Sequence, residues 1–287
     1  MKGFLACVMA AAARINPSTL AQPIHVAITF DEEVGCLGAR ELVDFMAEAA
    51  IRPRAIIVGE PTGMAVVDRH KGSVGFTTTI TGRSAHSSQV HLGFSAIALA
   101  AELVSFLVAL GTAQKEAGAD RNFPYPFPSI NVGTIRGGEV RNIVAPTCAV
   151  DWEIRPILPT QMTTLRTAFE AHVEDRIAGF MQGGGCVPTI ETHCVYDTPP
   201  LVDDRGAAAV SLALQLMESN ETVTVSYGTE AGLYQEAGHS VVVCGPGDIQ
   251  QAHTPDEWIA IDQLEACLAF LGRLVDHCAR HYSEISK

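Results

Sequence analysis

The chain has 287 residues, enough for one large domain or two smaller ones. Hydrophobic residues make up 47% and charged residues 18%, which calls for a packed core and excludes a disordered chain. The net charge of −13 argues against a nucleic-acid partner, because phosphate binding needs a basic face.

Along the chain, Phe4 to Ala13 forms an apolar run behind Met1 and Lys2. It has the character of a short secretory signal, or of a buried helix over residues 4–15 ended by Asn16 and Pro17. Three segments read as short apolar strands that break off into polar residues. They are His25–Phe30 before Asp31-Glu32-Glu33, Ala55–Val58 before Gly59-Glu60-Pro61-Thr62, and Ser240–Cys244 before Gly245-Pro246-Gly247. On this reading His25 is a satisfied, buried strand residue. A helix over about 37–50 separates the first two strands. Strands alternating with helices predict an α/β domain whose mostly parallel sheet is covered on both faces.

The middle of the chain differs. A strand over 73–81, a helix over about 94–110, strands near 129–135 and 147–154, a helix over about 161–177 and a strand over 187–196 follow one another. The order β-α-β-β-α-β is that of a ferredoxin-like module. Gly183-Gly184-Gly185 reads as a turn, since no Lys-Ser/Thr follows to make a nucleotide loop. The division is therefore a large domain, residues 1–69 and 197–287, interrupted by a smaller one over 70–196. From Asp262 onward, apolar residues at three- and four-residue steps predict an amphipathic helix lying on the sheet.

None of the eight cysteines stands in a C-x-x-C pair, so neither a zinc ribbon nor a redox motif is signalled, and a reducing, cytoplasmic setting fits. No run reaches the roughly 18 apolar residues of a membrane span.

In open α/β sheets, ligands bind beyond the carboxyl ends of the strands. Glu32, Glu33, Glu60 and His253 fall there, and carboxylates with an imidazole are what a zinc-type site uses. From extended backbone, Glu32 and Glu33 point to opposite sides, so one is free to bind metal while the other faces the substrate. The plainer alternative is that Asp31-Glu32-Glu33 caps the following helix.

Five strings occur in one order: Asp31-Glu32-Glu33, Gly59-Glu60-Pro61-Thr62, Gly82-Arg83-Ser84-Ala85-His86-Ser87-Ser88, Asn142-Ile143-Val144-Ala145-Pro146 and Gln251-Ala252-His253-Thr254-Pro255-Asp256-Glu257. That order resembles the metal-dependent deacylases and carboxypeptidases, the family of acetylornithine deacetylase, succinyl-diaminopimelate desuccinylase and glutamate carboxypeptidase. Gly228-Thr229-Glu230-Ala231 and Gly245-Pro246-Gly247-Asp248 are similar to the acetylornithine deacetylase branch. The resemblance implies an α/β/α catalytic domain with an inserted ferredoxin-like lid that also forms a homodimer, and two divalent metal ions, zinc or cobalt. It implies Glu32 as general base, Glu33 and His253 on one metal, and Glu60 on the other. His86 of the lid would stabilise the oxyanion across subunits. Asn142 and Arg155 would hold the substrate, and Glu230 would face a cationic substrate arm. The implied reaction is removal of the acetyl group from N-acetylornithine in arginine biosynthesis. Sister deacylases or carboxypeptidases, or an inactive fragment that only dimerises, are the alternatives.

One departure qualifies the resemblance. The family carries a His-x-Asp motif, and a metal-bridging Asp directly before a Met-Lys-Gly segment. This sequence opens on Met1-Lys2-Gly3 and holds neither. The expectation is a large domain lacking its first strand and helix, a helix rather than a signal over residues 4–15, and weak metal binding by the donors that remain.

Overall fold

A computed structural model describes residues 1–116, 120–183, 186–204 and 206–280. In chain order its helices and strands are α1 (Lys2–Ala12), α2 (Leu37–Glu48), β1 (Ile56–Val58), β2 (Val67–His70), β3 (Ser73–Thr81), α3 (Ala96–Glu116), β4 (Ser129–Gly137), β5 (Thr147–Arg155), α4 (Pro159–Gln182), β6 (Thr189–Thr198), α5 (Ala208–Met217), β7 (Val223–Val225), α6 (Ala231–Glu236), β8 (Val241–Val243) and α7 (Ile261–Arg280). They form two units. One comprises Met1–His70, Leu201–Val225 and the chain from Thr229 onward; the other comprises Lys71–Pro200 with Ser226–Gly228.

The first unit is built on a four-stranded sheet of order β1-β8-β2-β7. β1 runs parallel to β8 and β2 parallel to β7, while β2 meets β8 antiparallel through Val67 and Val243. Each strand is only three or four residues long, and β8 is buried throughout. α1 packs on α7 through Cys7, Cys267, Phe270 and Leu271. The apolar spacing of α7 thus forms the predicted inward face.

Two sequence expectations fail here. His25–Phe30 is not a strand: the segment has no ladder partner among the described residues, His25 is exposed, and Ile28 is 71% exposed. Its apolar content signalled a strand, but a strand exists only where a neighbour supplies hydrogen bonds. Conversely, β2 is a strand the sequence reading did not include; three of its four residues, Asp68, Arg69 and His70, are polar. All three are buried with partners: Asp68 contacts Arg69 and accepts a hydrogen bond from Thr222 Oγ1 at 2.7 Å, and His70 Nε2 lies 3.0 Å from Thr229 Oγ1.

The second unit carries an antiparallel sheet of order β4-β5-β3-β6 with α3 and α4 on one face, the ferredoxin-like arrangement the element order predicts. Inward residues of β5, namely Cys148, Val150, Trp152 and Ile154, pack on Leu99, Leu103 and Leu107 of α3 and Phe169 of α4. Trp152 stacks on Phe76 at 4.5 Å and donates its indole N–H to Thr78 Oγ1 at 2.9 Å, so its one polar atom is satisfied. α4 opens at Pro159, with Gln161 Oε1 accepting the N–H groups of Ile157 and Leu158. The opposite face of the sheet is polar. There Asp151 accepts from Thr77 on β3 and Thr134 on β4, at 2.8 and 2.6 Å, and these bonds hold its carboxyl below the usual range.

Against the expectation from the sequence, α3 is by length and composition long and apolar enough to cross a membrane. Its inner side nevertheless packs on the sheet. Of the predicted Gly183-Gly184-Gly185 turn, Gly184 and Gly185 lie outside the described residues.

Truncating Trp152 should remove the centre of this packing. Trp152→Ala is expected to cost about 3–5 kcal/mol in urea denaturation, and Thr78→Val, which orphans the indole N–H, about 1–2 kcal/mol. A loss below about 1 kcal/mol for Trp152→Ala would contradict the assigned core.

Candidate active site

Glu32 and Glu33 lie in a 3₁₀ turn, Glu32–Val34, and not in the extended backbone from which their opposite orientations were argued. The turn is bracketed by left-handed residues: Asp31 at φ 53°, Gly35 at φ 105° and Cys36 at φ 57°. His253 is also left-handed, at φ 59°. Each non-glycine residue in that region costs on the order of 1 kcal/mol, and here three of them hold the loops that carry Glu32, Glu33 and the imidazole. The capping alternative finds no support, since neither Asp31 nor Cys36 makes a side-chain cap.

His253 follows the 3₁₀ turn Ile249–Gln251, and its Nε2 lies 3.0 Å from Glu33 Oε1. Both side chains are more than two-thirds exposed. Glu60 stands just beyond β1, in a loop that crosses the loop after β8 at very short range. A Cβ on Gly245 would lie 2.6 Å from the Glu60 carbonyl oxygen, so only glycine permits this crossing.

Glu230 precedes α6. Its carboxylate accepts from Thr29 Oγ1 at 2.8 Å and from Tyr234 OH at 3.1 Å, one bond on each oxygen. Thr29 and Tyr234 were not foreseen as site residues. The only sequence signal was Tyr234 standing one helical turn after Glu230.

These carboxylates sense one another. Burial pushes Glu60 up to about 7, and repulsion from Glu32, Glu230 and Glu33 adds to it. Glu32 is also raised, by burial and then by Glu33 and Glu230. Burial raises Glu230 as well, against the pull of its two hydrogen bonds. A carboxyl held near neutrality is suited to taking up and releasing a proton.

As a metal site the donors are incomplete. Glu33 and His253 touch, and Glu60 feels the charge of Glu33, but among the described residues no three His, Cys, Asp or Glu side chains converge as a cation would require. Two protein donors fall short of the three that a zinc site uses.

In the second unit, the segments of His86 and Asn142 are tied together: Ser87 N–H donates to the Asn142 carbonyl and Val144 N–H to the Ala85 carbonyl, at 2.9 and 2.8 Å. The Ser88 N–H donates to His86 Nδ1 at 3.2 Å. Nδ1 also lies 2.8 Å from Ser88 Oγ, and the tautomer in which Nδ1 accepts from both groups has its ring N–H on Nε2, a hydrogen-bond donor. Arg155 ends β5, held by Glu153.

The family model described as Peptidase family M20/M25/M40 matches residues 1–277. The chain belongs to that family. The M20 relatives include the acetylornithine deacetylase of Myxococcus xanthus, 36% identical over 282 residues that cover 96% of this chain and 70% of that one. The acetylornithine deacetylase of Pasteurella multocida is 32% identical over 275 residues, covering 96% and 69%. Among solved structures, a tripeptidase from Staphylococcus aureus superposes with a TM-score of 0.73 at 22% identity, covering 97% of this chain and 70% of that chain. Human carnosine dipeptidase 1 gives 0.67 at 14% identity, covering 97% and 72%. These superpositions establish the α/β fold of an M20 protein, as the order of motifs implied, and the family makes the chain a hydrolase of the amidohydrolase and peptidase type.

The raised Glu60 makes stability depend on pH. Between the ordinary carboxylate range and about 7, folded Glu60 keeps a proton that the unfolded chain has released. Its contribution is therefore full below the unfolded value and is lost as pH rises through about 7. Chemical denaturation in the presence of chelator should show Glu60→Gln more stable than the parent at pH 8, by up to ~3 kcal/mol, and similar to it at pH 4. Equal pH profiles would contradict this environment for Glu60.

Proposed function

We propose that this M20 protein removes the acetyl group from N-acetylornithine, giving ornithine and acetate in the cytoplasmic synthesis of arginine. The observation that carries the reading is the group of Glu32, Glu60 and Glu230 beside the Glu33–His253 pair, in a chain 32% and 36% identical to the two acetylornithine deacetylases above.

Glu32 is the general base. Its raised carboxyl takes the proton of the attacking water and delivers it to the leaving amine. Glu230, immobilised by Thr29 and Tyr234, retains free lone pairs and negative character to meet the cationic arm of ornithine. The Nε2–H of His86 is a donor for the oxyanion of the tetrahedral intermediate. Asn142 and Arg155 hold the α-carboxylate, for which a guanidinium fork is suited. Glu33 and His253 begin one divalent-cation site and Glu60 a second, incomplete in this set of donors.

The lid mediates a homodimer on this reading. What supports it is the outward side of α3, where Ile97 and Val108 are 41% and 61% exposed, with Ala98 and Ala101 exposed between them beside Glu102 and Ser105, and Ala109 exposed just beyond.

Hydrolysis of a panel of N-acetyl and N-succinyl amino acids, with zinc or cobalt in excess, should show N-acetyl-L-ornithine preferred. Glu32→Gln is expected to lower kcat about a thousandfold with little change in KM. Zinc titration should give a Kd weaker than about 1 µM, weakened further by His253→Ala. Preference for another acyl amino acid, or an active Glu32→Gln enzyme, would overturn the assignment.

A further inference from the structure

Alternation along β5 puts Glu153 and Arg155 on the same, polar face of the second sheet, away from Trp152 and Ile154. Arg155 directs Nε and Nη2 at a single oxygen, Glu153 Oε2, at 3.1 and 3.0 Å. Tyr196 OH donates to that same oxygen at 3.2 Å.

Tyr196 is on β6, two strands from β5. Gly75 of β3 lies between, paired with Glu153 on one side and with Tyr196 on the other. The phenol crosses β3 because Gly75 has no side chain: a Cβ there would sit 2.4 Å from the ring. The register shift beside Gly75, which pairs Phe76 with Cys194 and passes over Val195, belongs to the same local bulge. Buried Lys71, whose Nζ donates to the Phe127 carbonyl at 2.7 Å, adds positive charge close to Arg155.

We propose that Glu153 and Tyr196 are positioning residues that orient Arg155 so that its outer edge receives the substrate's α-carboxylate. The inference rests on the reading of Arg155 given under Proposed function. The Nε–Nη2 edge is occupied by Glu153, which leaves the Nη1–Nη2 edge as the one available to a ligand. A guanidinium already fixed in place forfeits less rotamer freedom on binding. Glu153 also makes the pair electrically neutral, so an anion is attracted by shape and hydrogen bonding with help from Lys71, and selectivity for a planar carboxylate follows. If instead the three side chains merely cross-link β5 and β6, their loss would lower stability and leave ligand selectivity untouched.

The test compares N-acetyl-L-ornithine with N-acetylputrescine, the same molecule without its carboxylate, in calorimetric binding and in kcat and KM. The variants are Glu153→Gln, Tyr196→Phe and, as reference, Arg155→Ala, each checked for an unchanged melting profile. Glu153→Gln should raise Kd and KM for N-acetyl-L-ornithine about tenfold and Tyr196→Phe about threefold, with kcat within about twofold and N-acetylputrescine unaffected. If Arg155→Ala weakens N-acetyl-L-ornithine selectively while the other two behave as the parent, the positioning role is overturned and Arg155 keeps its own. If Arg155→Ala has no selective effect, or the parent does not distinguish the two ligands, the reading of Arg155 fails and the positioning role with it.

Discussion

Like charge held away from water is the constraint around which the first unit is arranged. Glu32, Glu60 and Glu230 are all shifted toward their protonated forms, burial being the largest cause in each. All three are half-buried, and withdrawing a carboxylate from water is costly unless it is paired. Here they are kept in by specific devices: Thr29 and Tyr234 on Glu230, and the left-handed residues around the Glu32 turn. A site that raises carboxyl pKa values has use for a proton or a cation. The first suits the general-base role proposed for Glu32, and the second agrees with the generally metal-dependent M20 family.

The fold explains why the cluster forms. Very short strands hand the chain over to loops quickly, and two of those loops begin where β1 and β8 end side by side in parallel. Parallel neighbours deliver their carboxyl ends to the same edge of the sheet, which is how Glu60 and the loop of His253 come to share it. The second unit solves a different problem. Its antiparallel sheet buries one face under α3 and α4 and leaves the other polar, which permits Arg155, Glu153 and Tyr196 to form a network in a partly exposed setting.

Much of this was legible in the sequence. The ferredoxin-like order could be read because β3, β4, β5 and β6 are long and α3, between β3 and β4, is strongly apolar. The first unit was harder. Its three-residue strands carry almost no period, and β2 hides behind Asp68, Arg69 and His70, whose burial depends on partners distant in sequence. His25–Phe30 misled for the complementary reason, since apolar composition cannot say whether a neighbouring strand is present. For the site, the motif order pointed to Glu32, Glu33, Glu60 and His253, whose proposed roles stand on the resemblance; Glu32 feels the charges of Glu33 and His253, and Glu60 those of Glu32 and Glu33. The motif order could not reveal Thr29 and Tyr234, because neutral hydroxyls carry no motif, nor the turn that replaces extended backbone at Glu32 and Glu33, because left-handed Asp31 and Cys36 are set by tertiary context.

The most direct measurement of the buried-carboxylate account is a carbon-13 NMR titration of the glutamate carboxyl groups in the metal-free protein, with Glu60 assigned by substitution. The account predicts that the Glu60 carboxyl titrates with a midpoint near 7, and that Glu230→Gln moves it downward. A midpoint for Glu60 in the ordinary carboxylate range, indifferent to its neighbours, would contradict it.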